Sequence, residues 1–280
     1  MTRWCEMWMP LLVTLVLGTV PARGDDAADA AAPAEAAEAP AATQAAPDPA
    51  AVALLQRIEA KADDIKSLQA TLRYDRIQGL VGDEQRRLGK LYYLAGPPAR
   101  FAAQFDWLVY DRRRVPQDRS YIFDGVWLVE KIADEKPKKF IKRQVVPPDA
   151  DPAKVNPLAL GAGPFAIPVN MKKDRVLERF QATIAQPHEK DPANSVHLHL
   201  VPRRPLRSGV TEVDLWYDQD SLLPLRVRTF EEESENESII TLGEHKVNEE
   251  IDAKMIDTSE PKGDGWDVQV TPWEDEKKPQ

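Results

Sequence analysis

The sequence contains a single cysteine, Cys5, close to its start. A chain without a second cysteine forms no intramolecular disulfide, and beyond Cys5 it offers no cysteine metal ligand and no cysteine nucleophile. The folded part must therefore depend on a hydrophobic core alone. With 280 residues the chain is long enough to bury one.

A basic surface is also missing, because the formal net charge is -9 at pH 7 and the pI is near 5.1. Nucleic-acid binders need clustered lysine and arginine to neutralise phosphates, so we expect no nucleic-acid partner. Adsorption to anionic lipid headgroups by charge alone is disfavoured for the same reason.

The short motifs of common enzymes are absent as well. The sequence has no Gly-x-Ser-x-Gly, no glycine-rich phosphate loop and no His-Glu-x-x-His. Carboxylates are plentiful, yet nothing in the sequence places two of them in one cleft. We therefore predict that the protein is not an enzyme and uses no cofactor.

Residues 1–24 have the pattern of a cleavable signal peptide. Arg3 precedes an apolar run from Trp8 to Val20, and small residues lead to a cleavage site after Gly24. An uncleaved anchor is the alternative, but the run is shorter than the ~20 apolar residues that span a bilayer. We therefore expect export to the periplasm.

The next residues, 25–48, consist mainly of alanine, proline and acidic side chains. Such a composition buries too little apolar surface to fold and is typical of a disordered linker. We predict one folded domain over residues 49–272, followed by a disordered tail at 273–280.

Folding is predicted to begin at Asp48-Pro49, a helix N-cap followed by proline at the first helical position. Apolar residues then recur every three or four positions and predict an amphipathic helix that ends near Asp64. After it the apolar period changes to two, which indicates strands with one buried face. Asp124-Gly125 is a typical two-residue hairpin turn.

This alternation predicts about ten strands joined by short turns, and hence an antiparallel sheet. The predicted strands lie at 68–75, 88–94, 101–105, 120–123, 126–132, 140–145, 180–185, 195–201, 210–217, 223–230 and 237–242. Residues 247–256 and 266–270 could add edge strands, and 172–180 predicts a short helix. So many strands in one sheet should curl strongly.

Several short stretches, taken in order, resemble the LolA/LolB-type lipoprotein carriers of the Gram-negative periplasm. The matching stretches are Ser67 to Leu72, Gly89-Lys90-Leu91, Pro98 to Phe101, Asp124-Gly125 with Trp127-Leu128-Val129, Leu198 to Pro202, Val213 to Asp218, Leu223 to Val227, Ile239 to Leu242, and Pro261 with Gly265 to Val268. Together they cover roughly residues 50 to 270. The sequence departs from the family at Met255-Ile256, where an aromatic residue is usual, and in the insert at 146–170.

The resemblance implies a mainly β (α+β) fold, in which a strongly curved antiparallel sheet forms an unclosed β-barrel with helices on its concave side. It also implies a carrier that holds the acyl chains of a lipoprotein, or another lipid, in that concavity during transfer toward the outer membrane. An inner-membrane release complex and an outer-membrane acceptor would then be partners. We expect a monomer.

The predicted lipid-binding residues are the apolar positions that share one strand face. They are Leu72, Tyr74, Phe101, Phe105, Phe123, Trp127, Leu198, Leu215, Leu225 and Val227. Strand alternation shows which residues share a face, but does not show which face lines a cavity. Ordinary core packing against the first helix is the alternative.

His197 and His199 lie two apart on a predicted strand and therefore point to the same side. Such a pair could bind a metal with a third ligand, for which His188, Glu189 or His245 are the nearby choices. Because Val196, Leu198 and Leu200 form the apolar face, the histidines are expected to face solvent. We predict no metal site.

Two charged clusters and one long insert complete the predicted features. Arg112-Arg113-Arg114 with Arg119 could meet a phosphate or an acidic partner, but a solvated hairpin loop is the simpler interpretation. The glutamates around 231–237 are expected to decorate an exposed turn. The proline-rich insert 146–170 is either a lid or a strap across the sheet.

Two other functions are compatible with this sequence. One is a sensor or interaction protein of the envelope on the same fold, which binds lipid or a lipoprotein and signals to a membrane partner. The other is a metal-dependent hydrolase that uses His197 and His199. Bound metal after purification would favour the hydrolase.

Overall fold

Asp48 and Pro49 begin the first helix, as the sequence predicts. The Asp48 side chain accepts a hydrogen bond from the Ala50 amide at 2.9 Å. Helix α1 runs over Pro49–Asp63 and buries one apolar stripe.

A computed structural model of the chain describes residues 48–152, 167–206 and 208–273. The signal-peptide and linker predictions for residues 1–47 lie outside these ranges.

Twelve strands follow the helix within the described residues, and a second short helix, α2, covers Lys173–Arg179. The strands are β1 Ser67–Gln78, β2 Asp83–Leu94, β3 Arg100–Tyr110, β4 Arg113–Phe123, β5 Trp127–Ile132, β6 Lys138–Gln144, β7 Phe180–Ile184, β8 Ser195–Pro202, β9 Glu212–Asp218, β10 Pro224–Glu231, β11 Asn236–Val247 and β12 Trp266–Thr271. Several are longer than predicted, because β2, β3 and β4 continue into polar residues that alternation alone does not indicate.

All twelve strands belong to one sheet in the order β12-β6-β5-β4-β3-β2-β1-β11-β10-β9-β8-β7. Neighbouring strands are antiparallel except β12 and β6, which are parallel. The sheet is strongly curved and is not closed into a barrel, because β12 and β7 are its two edges. This confirms the predicted fold class, and the curvature follows from the twist that accumulates over many strands.

Each face of the sheet carries its own apolar core. The inner face, defined here as the face that packs on α1, carries the larger core, to which β1–β4 and β7–β11 contribute buried side chains. The outer face carries a smaller core of Tyr92, Ala102, Ile122, Val129 and Phe140. The chain after β11 covers this second core with a 3-10 helix at Ala253–Ile256 and then pairs as β12.

The structure of the C-terminal segment tests the two predictions of edge strands at 247–256 and 266–270. Trp266–Thr271 is an edge strand, as expected, whereas residues 253–256 form the 3-10 helix rather than a strand. Met255 and Ile256 pack on the outer core together with Trp266. No helix in the described ranges is both long and apolar enough to span a bilayer.

The arginine cluster of the sequence separates in the structure. Asp111 and Arg112 form the tight turn between β3 and β4, both with positive φ (46° and 60°), as the turns that match strand twist require. Arg113 and Arg114 are exposed at the start of β4. Arg119 instead is buried and pairs with Glu135 at 2.7 Å. It therefore does not share the exposed surface assigned to the cluster.

Candidate functional site

The inner face of the sheet collects most of the predicted lipid-binding residues. Seven of them are buried there in one core: Leu72, Phe101, Phe105, Phe123, Leu198, Leu215 and Val227. Tyr74 is half-buried and packs against the same core. Their side chains share a face because they occupy alternate positions of paired strands. Contact with a ligand remains a prediction for all of them.

Two of the predicted lipid-binding residues, Trp127 and Leu225, do not belong to this group on the inner face. Trp127 lies on the same strand face as Val129, which belongs to the outer core. The Lys142 ammonium lies 5.2 Å from the centroid of the Trp127 ring. Leu225 lies at a register shift between Pro224 and Arg226, where the pairing with β9 is irregular. The alternation failed at Trp127 because β5 is apolar on both faces, and at Leu225 because a bulge interrupts the period.

Helix α1 covers part of the inner face and buries Leu54, Leu55 and Ile58 against it. Polar contacts hold the helix at both ends. At its start the Asp48 carboxylate accepts a hydrogen bond from the Ile184 amide at 3.0 Å.

At the far end of α1 the carboxylate of Glu59 accepts a hydrogen bond from the Lys173 amide at 3.1 Å. The Lys172 ammonium lies 2.9 Å from Asp63 Oδ1 and 3.5 Å from Glu59 Oε1. These ion pairs are partly exposed, so each contributes little to stability. The helix is therefore attached to the sheet mainly by its apolar stripe.

The described flanks of the insert, residues 146–152 and 167–170, also pack onto the inner core. Val146, Ile167 and Val169 are buried, and the Tyr217 hydroxyl donates a hydrogen bond to the Pro168 carbonyl at 3.1 Å. Burial raises the pKa of Tyr217. Both flanks therefore pack against the inner core. Residues 153–166 lie outside the described ranges, so the choice between a lid and a strap stays a prediction.

Aromatic rings occupy one region of the inner face. The Phe105 ring lies 6.4 Å from that of Tyr74 and 6.3 Å from that of Tyr121, the latter edge to face. The Tyr121 hydroxyl donates to Glu130 Oε1 at 2.9 Å. Burial, followed by the charge of Glu130, raises the pKa of Tyr121. This region combines apolar rings with buried polar groups.

Two arginines lie beside these rings: Arg87, which the sequence analysis did not consider, and Arg119, which it placed in the arginine cluster and interpreted as part of a solvated loop. Arg87 faces Tyr74 in the strand register, and Arg119 faces Phe105. Burial lowers the pKa of the Arg87 guanidinium, Tyr121 opposes that shift, and the charge of Arg119 adds to it. The sequence contained one indication of this for Arg87. It lies on the same strand face as Leu91, and that face is otherwise apolar.

His197 and His199 lie on the outer face, as predicted. His197 Nε2 and His199 Nδ1 lie 2.9 and 2.7 Å from the same oxygen, Asp214 Oδ1. The other oxygen, Oδ2, accepts a hydrogen bond from Arg228 at 2.9 Å, and Arg228 also bonds to Glu237. The two imidazoles thus engage one carboxylate oxygen.

Two of the three candidate third metal ligands, His245 and His188, make other contacts. His245 Nε2 bonds to the Pro224 carbonyl, and His188 Nδ1 accepts from the Lys190 amide. Within residues 48–152, 167–206 and 208–273, no three histidine, cysteine or acidic side chains are grouped so that they could hold a metal. The outer-face cleft at this place measures about 400 Å³, and its walls include His197, Asp214 and Trp216.

No family model matches the chain, and no curated protein matches it either. Among solved structures it is similar to a domain of Vibrio parahaemolyticus named as a candidate outer membrane lipoprotein-sorting protein, with 10% identity, coverage of 73% of this chain and 95% of that chain, and a TM-score of 0.38. It is similar to the lipoprotein LppX of Mycobacterium tuberculosis, with 14% identity, 75% and 100% coverage and a TM-score of 0.40.

A third similar structure is the MucA/MucB complex of Pseudomonas aeruginosa, with 15% identity, 74% coverage of this chain, 60% of that chain and a TM-score of 0.39. The likeness concerns the fold alone, and at these TM-scores it assigns no residue and no ligand to this chain.

Proposed function

We propose that the inner face of the sheet binds the acyl chains of a lipoprotein or another lipid, and that the protein carries them through the periplasm toward the outer membrane. The observation that carries this proposal is the largely apolar inner face of an open sheet, which is covered by α1, by α2 and by the described flanks of the insert. An acyl chain gains ~0.8 kcal/mol for each CH₂ that leaves water, so it can compete for such a surface.

Binding requires the cover to move, since the inner face is buried in the structure described. Helix α1 is suited to this because it is amphipathic and its end contacts are few and partly exposed. An acyl chain that replaces the helix stripe exchanges one apolar contact for another, so little free energy is lost. A carrier needs such a balance, because it must also release its cargo.

Loading and release of the cargo would need a donor and an acceptor in the envelope. We propose an inner-membrane release complex and an outer-membrane acceptor in these roles. The negative net charge fits this scheme, because a carrier that adsorbs to anionic membranes by charge would be retained at the first one it meets.

Native mass spectrometry of the mature protein purified from a periplasm tests this proposal. We expect a co-purifying acylated species, identified after lipid extraction, and uptake of an added acylated peptide by the emptied protein. The same peptide without its acyl chain is the control and should not bind. A mass without ligand, together with no uptake of the acylated peptide, would reject the proposal.

Loosening the cover should accelerate uptake. Lys172→Ala removes the ion pairs that join the α2 side to α1, and adding Asp48→Ala removes the contact at the other end. We expect about twofold faster uptake of a fluorescent acyl probe for Lys172→Ala, and a larger increase for the double variant, because exposed pairs contribute up to ~1 kcal/mol each. Stopped-flow fluorescence measures the rate.

Lys173→Ala is the matched control for this prediction. Its ammonium contacts the exposed Asp174 rather than α1, and the Lys173 amide that bonds to Glu59 remains in the variant. We expect an unchanged uptake rate. If the double variant also takes up the probe at the unchanged rate, α1 does not control entry.

A further inference from the structure

Three side-chain polar atoms near the aromatic rings have no hydrogen-bond partner among the residues that the structure describes. They are Arg87 Nε, Gln117 Oε1 and Arg119 Nε, and all three atoms are inaccessible to solvent. Gln117 and Arg119 expose only 8% and 7% of their surface. Buried polar groups are normally paired, and an unpaired donor on a cation is costly. An unfilled ligand position is one physical reason for such a group.

Strand register brings the two arginines to one region. Phe105 of β3 faces Gly89 of β2 on one side and Arg119 of β4 on the other, and Arg87 lies two residues from Gly89. Both guanidinium charges act on the same buried Tyr121 hydroxyl.

Arg87 is the less compensated of the two cations. Arg119 pairs with Glu135, whereas Arg87 makes no ion pair in the described part of the chain. Its only hydrogen bond there is a long one, 3.4 Å, from Nη2 to Gln85 Oε1. A guanidinium carries only donors, and its planar fork matches phosphate and carboxylate oxygens. A phosphate or carboxylate is therefore the partner that best matches Arg87 in charge and shape.

We propose that Arg87 and Arg119 bind the anionic headgroup, a phosphate or carboxylate, of an amphipathic lipid whose acyl chains lie on the inner face. This inference rests on the proposed carrier function and narrows its ligand. The apolar rings beside the arginines receive the glycerol and the first methylenes. Gln117 Oε1, an acceptor, suits a hydroxyl of the same headgroup.

The test compares two lipids that differ only in the phosphate: dioctanoyl phosphatidate and dioctanoylglycerol. Each displaces a neutral pyrene-labelled acylglycerol from the delipidated full-length mature protein. We expect phosphatidate to bind at least about tenfold more tightly, because hydrogen bonds to charged groups strengthen binding by this order. Equal affinities for the two lipids would overturn the headgroup site.

Arg87→Gln should remove most of this preference while leaving the affinity for dioctanoylglycerol unchanged. Arg113→Gln is the matched control, since it removes the same charge from an exposed position of β4. We expect it to keep the preference. A preference that survives in Arg87→Gln and in Arg119→Gln would also reject the proposal.

Folding of the Arg87 variant is not expected to confound the result, because the substitution leaves no carboxylate without its partner. We expect the ligand-free Arg87→Gln protein to unfold at the same temperature as the unmodified protein or a higher one. A lower temperature would show that Arg87 has an internal partner, and would count against an unfilled anion position.

Inorganic phosphate separates the two possible sources of the anion. One outcome is that inorganic phosphate raises the unfolding temperature, that this increase is lost in Arg87→Gln, and that neither lipid displaces the probe. In that case the anion site stands and the carrier proposal fails. If dioctanoylglycerol binds and phosphatidate gains nothing, the carrier proposal stands and the headgroup site fails. If phosphatidate gains and free phosphate does not compete, the ligand is the lipid headgroup.

Discussion

Gly89→Ala should destabilise the protein by about 3 kcal/mol, at the upper end of what overpacking costs. A methyl group at this position would run into the backbone of β3, at the Gln104 carbonyl and the Phe105 Cα. Backbone atoms of a paired strand cannot rotate away as a side chain can. The register between β2 and β3 also shifts at this point. Urea unfolding monitored by circular dichroism measures the loss.

Gly243→Ala is the matched control for this prediction. It also adds one methyl group to a strand glycine of the same sheet, but the nearest atom is the hydroxyl of Thr71 at 3.0 Å, a side chain that can adjust. We expect a change below about 1 kcal/mol. If both variants lose the same stability, the close approach of β3 to Gly89 is not the cause.

Asp214→Asn should cost about 3 kcal/mol, because it removes the charge that His197, His199 and Arg228 share. Asp214 exposes 6% of its surface, so solvent replaces little of the lost interaction. Arg228 keeps Glu237, which limits the loss to the lower part of the range for buried pairs. Thermal and urea unfolding at pH 7 measure it.

The same carboxylate predicts a pH dependence. Burial acts to raise the pKa of Asp214, but the hydrogen bonds from His197, His199 and Arg228 outweigh it and hold the pKa well below its usual 3.8. A depressed carboxylate pKa contributes stability that is complete above the unfolded value, ~3.9, and is lost as the pH falls below it. We expect the free energy of unfolding of the unmodified protein to fall more steeply with pH below ~4 than that of the Asp214→Asn variant.

Glu212→Gln separates this effect from a general loss of negative charge. Glu212 is 44% exposed and lies 3.6 Å from the same Arg228. We expect it to change stability by less than about 1 kcal/mol and to leave the acid slope intact. Asp214→Asn should flatten that slope below pH ~4. An unchanged slope in Asp214→Asn would show that the cluster does not control acid stability.

Much of the inner face could be predicted because strand alternation is local. Leu198 and Leu215 alternate with His197 and Asp214, so the sequence predicts which side chains share a face. The prediction failed at Trp127, since β5 carries apolar side chains on both faces and the C-terminal segment covers the outer one. Alternation cannot indicate which face is outer when both are buried.

Arg87 and Arg119 show a different limit. An arginine in the sequence is usually exposed, and strand alternation, which places Arg87 on the face of Leu91, does not show how far its side chain is buried. Their environment depends on pairing between β2, β3 and β4 and on residues that lie far apart in the sequence. The same holds for Asp214, whose three partners come from two other strands.

The sequence by itself determined the start of α1, the strand alternation and the antiparallel pairing, since capping residues, apolar periods and turn residues act over a few positions. The unclosed form of the sheet was predicted only from the resemblance to the lipoprotein carriers. Only the tertiary structure decided that the sheet has two cores, that two helices and the flanks of the insert cover the inner face, and that two arginines lie on that face. These features depend on register between distant strands, and register follows from how the whole sheet packs.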